Sequence, residues 1–206
     1  MQTFLIIAAA HFLALLSPGP DFFLIARTSA SAGWRTASGA CLGVALANGV
    51  FIVVAFAGVS LLRNGSALFI TLQLAGCAYL LYIGQVFLRQ AGRSQLAPDD
   101  AVGRTSAKGW LGSLGMGLAS GILNPKNALF YASLASMVTG STALAKLAYG
   151  SWMFAVVLLW DLLVALAIGN RRVLRRFGLA LPWLERASGA TLILLAIGVL
   201  MHLAWG

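Results

Sequence analysis

Long apolar runs alternate along this chain with short clusters of arginine, glycine and serine. A helix crosses the hydrocarbon core of a bilayer with about 20 apolar residues at ~1.5 Å of rise each. Six stretches reach that length: residues 4–26, 37–62, 67–88, 109–138, 147–169 and 187–205. Two of them are interrupted. The first carries Ser17-Pro18-Gly19-Pro20-Asp21 inside it, and the fourth carries Asn124-Pro125-Lys126-Asn127. The fifth holds a lone carboxylate, Asp161. The pattern predicts an all-α polytopic membrane protein of six transmembrane helices, with helices one and four broken.

Composition narrows the class. Of 206 residues, 60% are hydrophobic and only 9% are charged, against about 25% charged in soluble domains. A net charge of +9 would suit a nucleic-acid partner, but the basic residues are not a patch. Eleven of them fall in the connections after the first, third and fifth spans: Arg27 and Arg35; Arg89, Arg93, Arg104 and Lys108; and Arg171, Arg172, Arg175, Arg176 and Arg186. The opposite connections hold Arg63 and Lys146. That asymmetry puts the three basic connections in the cytoplasm and both termini outside. No nucleic acid is expected; the bilayer is the partner. The whole chain, 1–206, reads as one transporter-type domain with a polar cytoplasmic loop at 89–108. The N-terminal apolar stretch lacks a basic leader and a cleavage site and is expected to be retained. Trp34, Trp110, Trp152, Trp183 and Trp205 lie near span ends, as an interfacial belt does. Cys41 and Cys77 show no CxxC or metal-ligand spacing and read as small core residues.

The two breaks match. In each, a helix-capping residue precedes proline (Ser17-Pro18, Asn124-Pro125), the pairing favoured at a helix start. Each is followed by an aromatic-rich apolar stretch, and each lies roughly 20 Å into its span. The spans therefore divide into halves of three, approximately 1–90 and 107–206. Three is odd, so the halves are inverted in the membrane. Paired interruptions at corresponding positions of inverted halves point to a transporter's binding site.

Proline has no N–H, so the carbonyls of Ala14, Leu16 and Gly121 lose their helical partners. Such groups are tolerated at that depth only beside protein or a water-filled cavity. Freed carbonyls can hold an ammonium group, and restarted helix N-termini favour an anion. A zwitterion finds both. Asp21, Lys126 and Asp161 are ionisable residues inside spans, each a functional candidate because it costs about 2.5–3.5 kcal/mol to insert. Asp21 can pair with Lys126, exchange a proton or meet a substrate's ammonium group. Asp161 reads as a second proton-coupling candidate, and Asn48 as a polar residue lining the same cavity. His11, His202 and the tyrosines stand out less. Gly39 and Gly43 form a GxxxG that permits close helix contact.

"SPGPDFFLIARTS", the following "GACLG" and "NPKN" resemble the lysine-exporter superfamily, in its threonine and homoserine exporter branch. The resemblance covers nearly the whole chain. It places the family's proline-glycine-proline element on Pro18, Gly19 and Pro20, and its second break on Asn124, Pro125 and Lys126. It implies export of threonine, homoserine, homoserine lactone or similar compounds from the bacterial cytoplasm through the inner membrane, in exchange for protons. The sequence itself shows no catalytic triad pattern, phosphate-binding glycine loop or metal cluster, so no enzymatic activity and no cofactor are expected. A homodimer is compatible with the sequence. A transmembrane thiol-disulfide electron carrier and a passive amino-acid channel are the competing classes. The first would need a redox cysteine pair, and both cysteines lie in the same half.

Overall fold

The computed structural model describes residues 2–16, 19–60, 67–92, 109–138, 140–168 and 171–205. All regular structure among them is helical: α1 (Gln2–Leu16), α2 (Pro20–Ser60), α3 (Ala67–Gln90), α4 (Gly109–Leu123), α5 (Pro125–Ala135), a 3-10 turn at Ser136–Val138, α6 (Ala143–Ile168) and α7 (Arg171–Trp205).

Among the described residues seven α-helices stand where six spans were expected, and local chemistry accounts for the difference. The stretch expected as the first span forms α1 plus the start of α2, and that expected as the fourth forms α4 plus α5. Helix α2 also absorbs the expected connection at Arg27–Arg35. It runs on for 41 residues through Gly33, whose backbone alone is non-helical (φ 82°, ψ 158°). That left-handed φ suits glycine, so one residue turns the chain from the first apolar run into the second. Helix α7 likewise reaches back to Arg171 through Pro182, so the basic connection expected at 171–186 is helical. Glu185, within it, is buried and accepts the Gly92 N–H at 3.2 Å, tying α7 to the end of α3. Among the described residues, three stretches are long and apolar enough to cross a membrane alone: Pro20–Gly58, Ala143–Ile168 and Pro182–Met201. Phe4–Leu16, Cys77–Arg89 and Gly109–Leu123 are shorter apolar helices.

The outer surface is apolar. Val53, Leu111, Leu144, Leu159 and Leu194 are among many large side chains left exposed, far beyond the scattered apolar residues of a soluble monomer. This is a multi-pass membrane protein. Because lipid is as apolar as leucine, its helices associate through close packing and polar contacts. The most extensive contact joins α2 to α4. Gly39 and Gly43 face Leu114 there, and a β-carbon on Gly117 would strike the Ala40 carbonyl oxygen. Gly117 and Gly121 are thus a second GxxxG opposite the first. Trp110 Nε1 donates to Ser38 Oγ at 3.0 Å along the same seam. Two apolar clusters fill the interior. One gathers Ile7, Phe56, Phe87, Leu134, Met153 and Leu192; the other gathers Phe22, Ile25, Val44, Val157 and Val164. Cys77 belongs to the first and Cys41 to the second, both free and buried. Trp34, Trp110 and Trp183 are exposed, as a belt requires, whereas Trp152 packs inward against His11.

Candidate functional site

Where α1 ends, α2 begins, and α4 gives way to α5, the two breaks meet. The second is one residue wide. Asn124 is a helix cap: its Oδ1 accepts the Lys126 backbone N–H at 3.1 Å, and Pro125 holds the first helical position. Because that bond fixes the amide's orientation, Nδ2 points the other way, to Asp21 Oδ2 at 2.9 Å. Asn127 Nδ2 donates to the same oxygen at 2.8 Å, and Ser120 Oγ donates to Asp21 Oδ1 at 2.6 Å. The first break's carboxylate is thereby held by three neutral donors of the second. Asp21 also lies in the first turn of α2, where the helix dipole favours a negative charge.

One carbonyl freed by proline, that of Ala14, is met across the same junction, and another, that of Gly121, within its own break. Lys126 Nζ donates to Ala14 O at 3.1 Å, while its charge lies 5.1 Å from the centre of the Phe87 ring. Gly121 O accepts the Asn124 N–H at 3.4 Å and Asn127 Nδ2 at 3.3 Å. Asp21 and Lys126, whose pairing was one expectation, both line the same cavity. Gly19 lies beside the lysine: a β-carbon there would sit 3.8 Å from Nζ, an ordinary contact. Ser17 and Pro18 lie outside the described residues.

A cavity of about 50 Å³ opens beside the junction, room for roughly three or four waters. Gly19, Asp21, Asn48, Asn124, Lys126, Asn127 and Asp161 all line it. The structure therefore gathers seven of the residues singled out from sequence around one space. Pro20 and Pro125 start the two helices. Asn48 is buried, and its Nδ2 turns back to Val44 O at 2.8 Å. Asp161 is only 7% exposed, and its Oδ2 is buried without a hydrogen-bond partner among the described residues.

Four contributors were not picked out from sequence. His11 is buried, and its Nε2 lies 3.1 Å from the Tyr131 hydroxyl; both line the cavity, as does Trp160. His11 Nδ1 is buried without a partner. Ser120 is the fourth. It precedes Asn124 and Asn127 by four and seven residues, a helical-face spacing that could have revealed it. His11 had no such signal, because its partner is 120 residues away.

Among the described residues no group of histidine, cysteine and carboxylate side chains is arranged to hold a metal. Crossed helix breaks around a buried, charged cavity in an all-helical membrane protein are the architecture of a membrane carrier. The chain belongs to the LysE type translocator family, whose model matches residues 12–203. It is 28% identical over 193 residues to the threonine efflux protein of Escherichia coli (strain K12), which covers 92% of this chain and 93% of that protein. It is 29% identical over 195 residues to the threonine efflux protein of Salmonella typhimurium, with the same coverage. Similarity to the leucine efflux protein of Klebsiella pneumoniae is 32% over 120 residues, 58% of this chain and 55% of that protein. No solved structure matches the chain.

Proposed function

We propose that this protein is a secondary exporter of small neutral amino acids such as threonine, homoserine or its lactone, working by proton antiport in a bacterial inner membrane. The observation that carries the reading is the junction of the two breaks: the first break's freed Ala14 carbonyl and its Asp21 carboxylate are both met by side chains at the second. Substrate binds in the adjoining cavity, around Gly19, Asp21, Asn48, Asn124, Lys126 and Asn127. The carboxylates Asp21 and Asp161 are the two candidates for proton coupling.

Several features support an inverted three-plus-three repeat. The contact of α1 with α7 has its counterpart in that of α5 with α3. The contact of α2 with α4 is matched by that of α2 with α6, where Ser29 Oγ donates to Ala165 O at 2.5 Å. Exchanging the two halves relates these contacts at the level of whole spans, broken span to third span and broken span to second span, and not helix piece by helix piece. The basic connections face the cytoplasm and both termini lie outside. The cavity suits a few waters rather than an amino acid, so substrate entry requires the halves to part, the motion alternating access supplies.

The test is transport by purified protein in proteoliposomes loaded with labelled threonine, homoserine or leucine. Release of at least one of them, accelerated by an imposed pH gradient, is expected. Release indifferent to the gradient would make the protein a channel; release of none would remove the amino-acid reading.

A further inference from the structure

We infer that Asp161, and not Asp21, is the carboxylate that receives the ammonium group of the substrate, while Asp21 acts as a fixed latch between the broken helices. The inference rests on the export reading above and assigns roles within that site. The two carboxylates line the same cavity, yet their surroundings are opposite. Both oxygens of Asp21 are occupied, one by Ser120 and the other by the amides of Asn124 and Asn127. An ammonium group binding there would have to displace donors that also cap α5 and serve Gly121 O. Asp161 is more buried and keeps Oδ2 without a partner among the described residues. A buried acceptor left unmade is destabilising, and an incoming donor at this oxygen relieves that cost. An ammonium group offers three donors and a full positive charge.

The neighbours of Asp161 fit such an occupant. Helix α6 presents it one turn after Val157 and next to Trp160, and both line the cavity. They form an apolar wall against which a short side chain can rest. Across the cavity are His11 of α1, Asp21 of α2, and Lys126 and Tyr131 of α5. Lys126 supplies the opposite charge for a carboxylate, so the zwitterion's two ends are drawn to different helices. A carboxylate that holds either a proton or an ammonium group, never both, also makes the two fluxes exclusive, which is what antiport demands.

Equilibrium binding to the full-length protein in nanodiscs tests this with two probes. L-threonine carries the ammonium group; 3-hydroxybutyrate keeps the carboxylate and hydroxyl but lacks it. Wild type is expected to prefer threonine by roughly ten- to a hundredfold, the worth of a charged hydrogen bond. Asp161→Asn should abolish that preference by weakening threonine alone, with 3-hydroxybutyrate binding unchanged. Asp21→Asn should keep the preference even where it lowers thermal stability. A merely structural Asp161 would weaken both probes equally and overturn the inference, as would a preference lost in Asp21→Asn and kept in Asp161→Asn. If Asp161→Asn does not fold, wild type is treated with dicyclohexylcarbodiimide and the adduct mapped by mass spectrometry. Protection of Asp161 by threonine but not by 3-hydroxybutyrate is expected; equal protection, or an adduct confined to Asp21, overturns the inference. Wild type that binds neither threonine, homoserine nor leucine removes the export reading and this inference with it. Binding that survives Asp161→Asn with its preference intact removes the inference alone.

Discussion

Replacing Asn124 with alanine removes two interactions at once, and the structure says what each is worth. The side-chain oxygen caps α5 through the Lys126 N–H at 3.1 Å, a role whose loss costs about 1 kcal/mol. The side-chain nitrogen donates to Asp21 at 2.9 Å, and a hydrogen bond to a charged group contributes about 2 kcal/mol. Asn124→Ala should therefore destabilise the protein by about 3 kcal/mol. In an Asp21→Ala background only the cap remains to be lost, so the same substitution should cost about 1 kcal/mol. The difference, about 2 kcal/mol, is the coupling energy of the junction. It is read from a double-mutant cycle of reversible unfolding in mixed micelles, with sodium dodecyl sulfate as denaturant. Equal costs in both backgrounds, to within ~0.5 kcal/mol, would mean that Asn124 and Asp21 do not act on each other. The argument that the two breaks brace one another would then fail.

Three further outcomes follow from the same geometry. Gly117→Leu should lower the melting temperature strongly, because its side chain meets the Ala40 backbone and overpacking costs roughly 1–3 kcal/mol or more. Gly115→Ala, with open space around it, should leave the melting temperature unchanged or raise it slightly. Lys126→Met keeps the bulk of the side chain but strips the donor from Ala14 O; flux in proteoliposomes should fall at least tenfold, and near-normal flux would show that the lysine is dispensable. Cys41→Ala combined with Cys77→Ala should leave export intact, since the two thiols are free and sit in separate apolar clusters. Loss of activity in that double variant, with folding preserved, would revive the thiol-disulfide alternative.

The breaks were legible because proline chemistry is local. Pro18 and Pro125 lack an N–H wherever the chain goes, so free carbonyls at Ala14 and Gly121 followed from sequence. What meets those carbonyls did not follow. Lys126 reaches Ala14 across 112 residues, and only the packing of α1 against α5 decides it. The same holds for His11 and Tyr131, joined over 120 residues. The helix boundaries were misread where charge imitates a loop. Arg27 and Arg35 look like a connection, yet Gly33 alone makes the turn within α2. Glu185 was hidden among arginines that lie in helix α7. Gly39 and Gly43 were visible as a close-contact motif, but their partners Gly117 and Gly121 gain meaning only once α2 lies on α4.

The central claim, exchange of an amino acid for protons, is tested most directly by watching the protons. Vesicles containing the protein and a trapped pH-sensitive dye are exposed to external threonine, homoserine or leucine at equal pH on both sides. Antiport predicts that an inward amino-acid gradient drives protons out, so the lumen turns alkaline, and that vesicles without protein stay silent. Labelled amino acid entering at the same time with no change in lumenal pH would contradict the account and leave a passive pathway in its place.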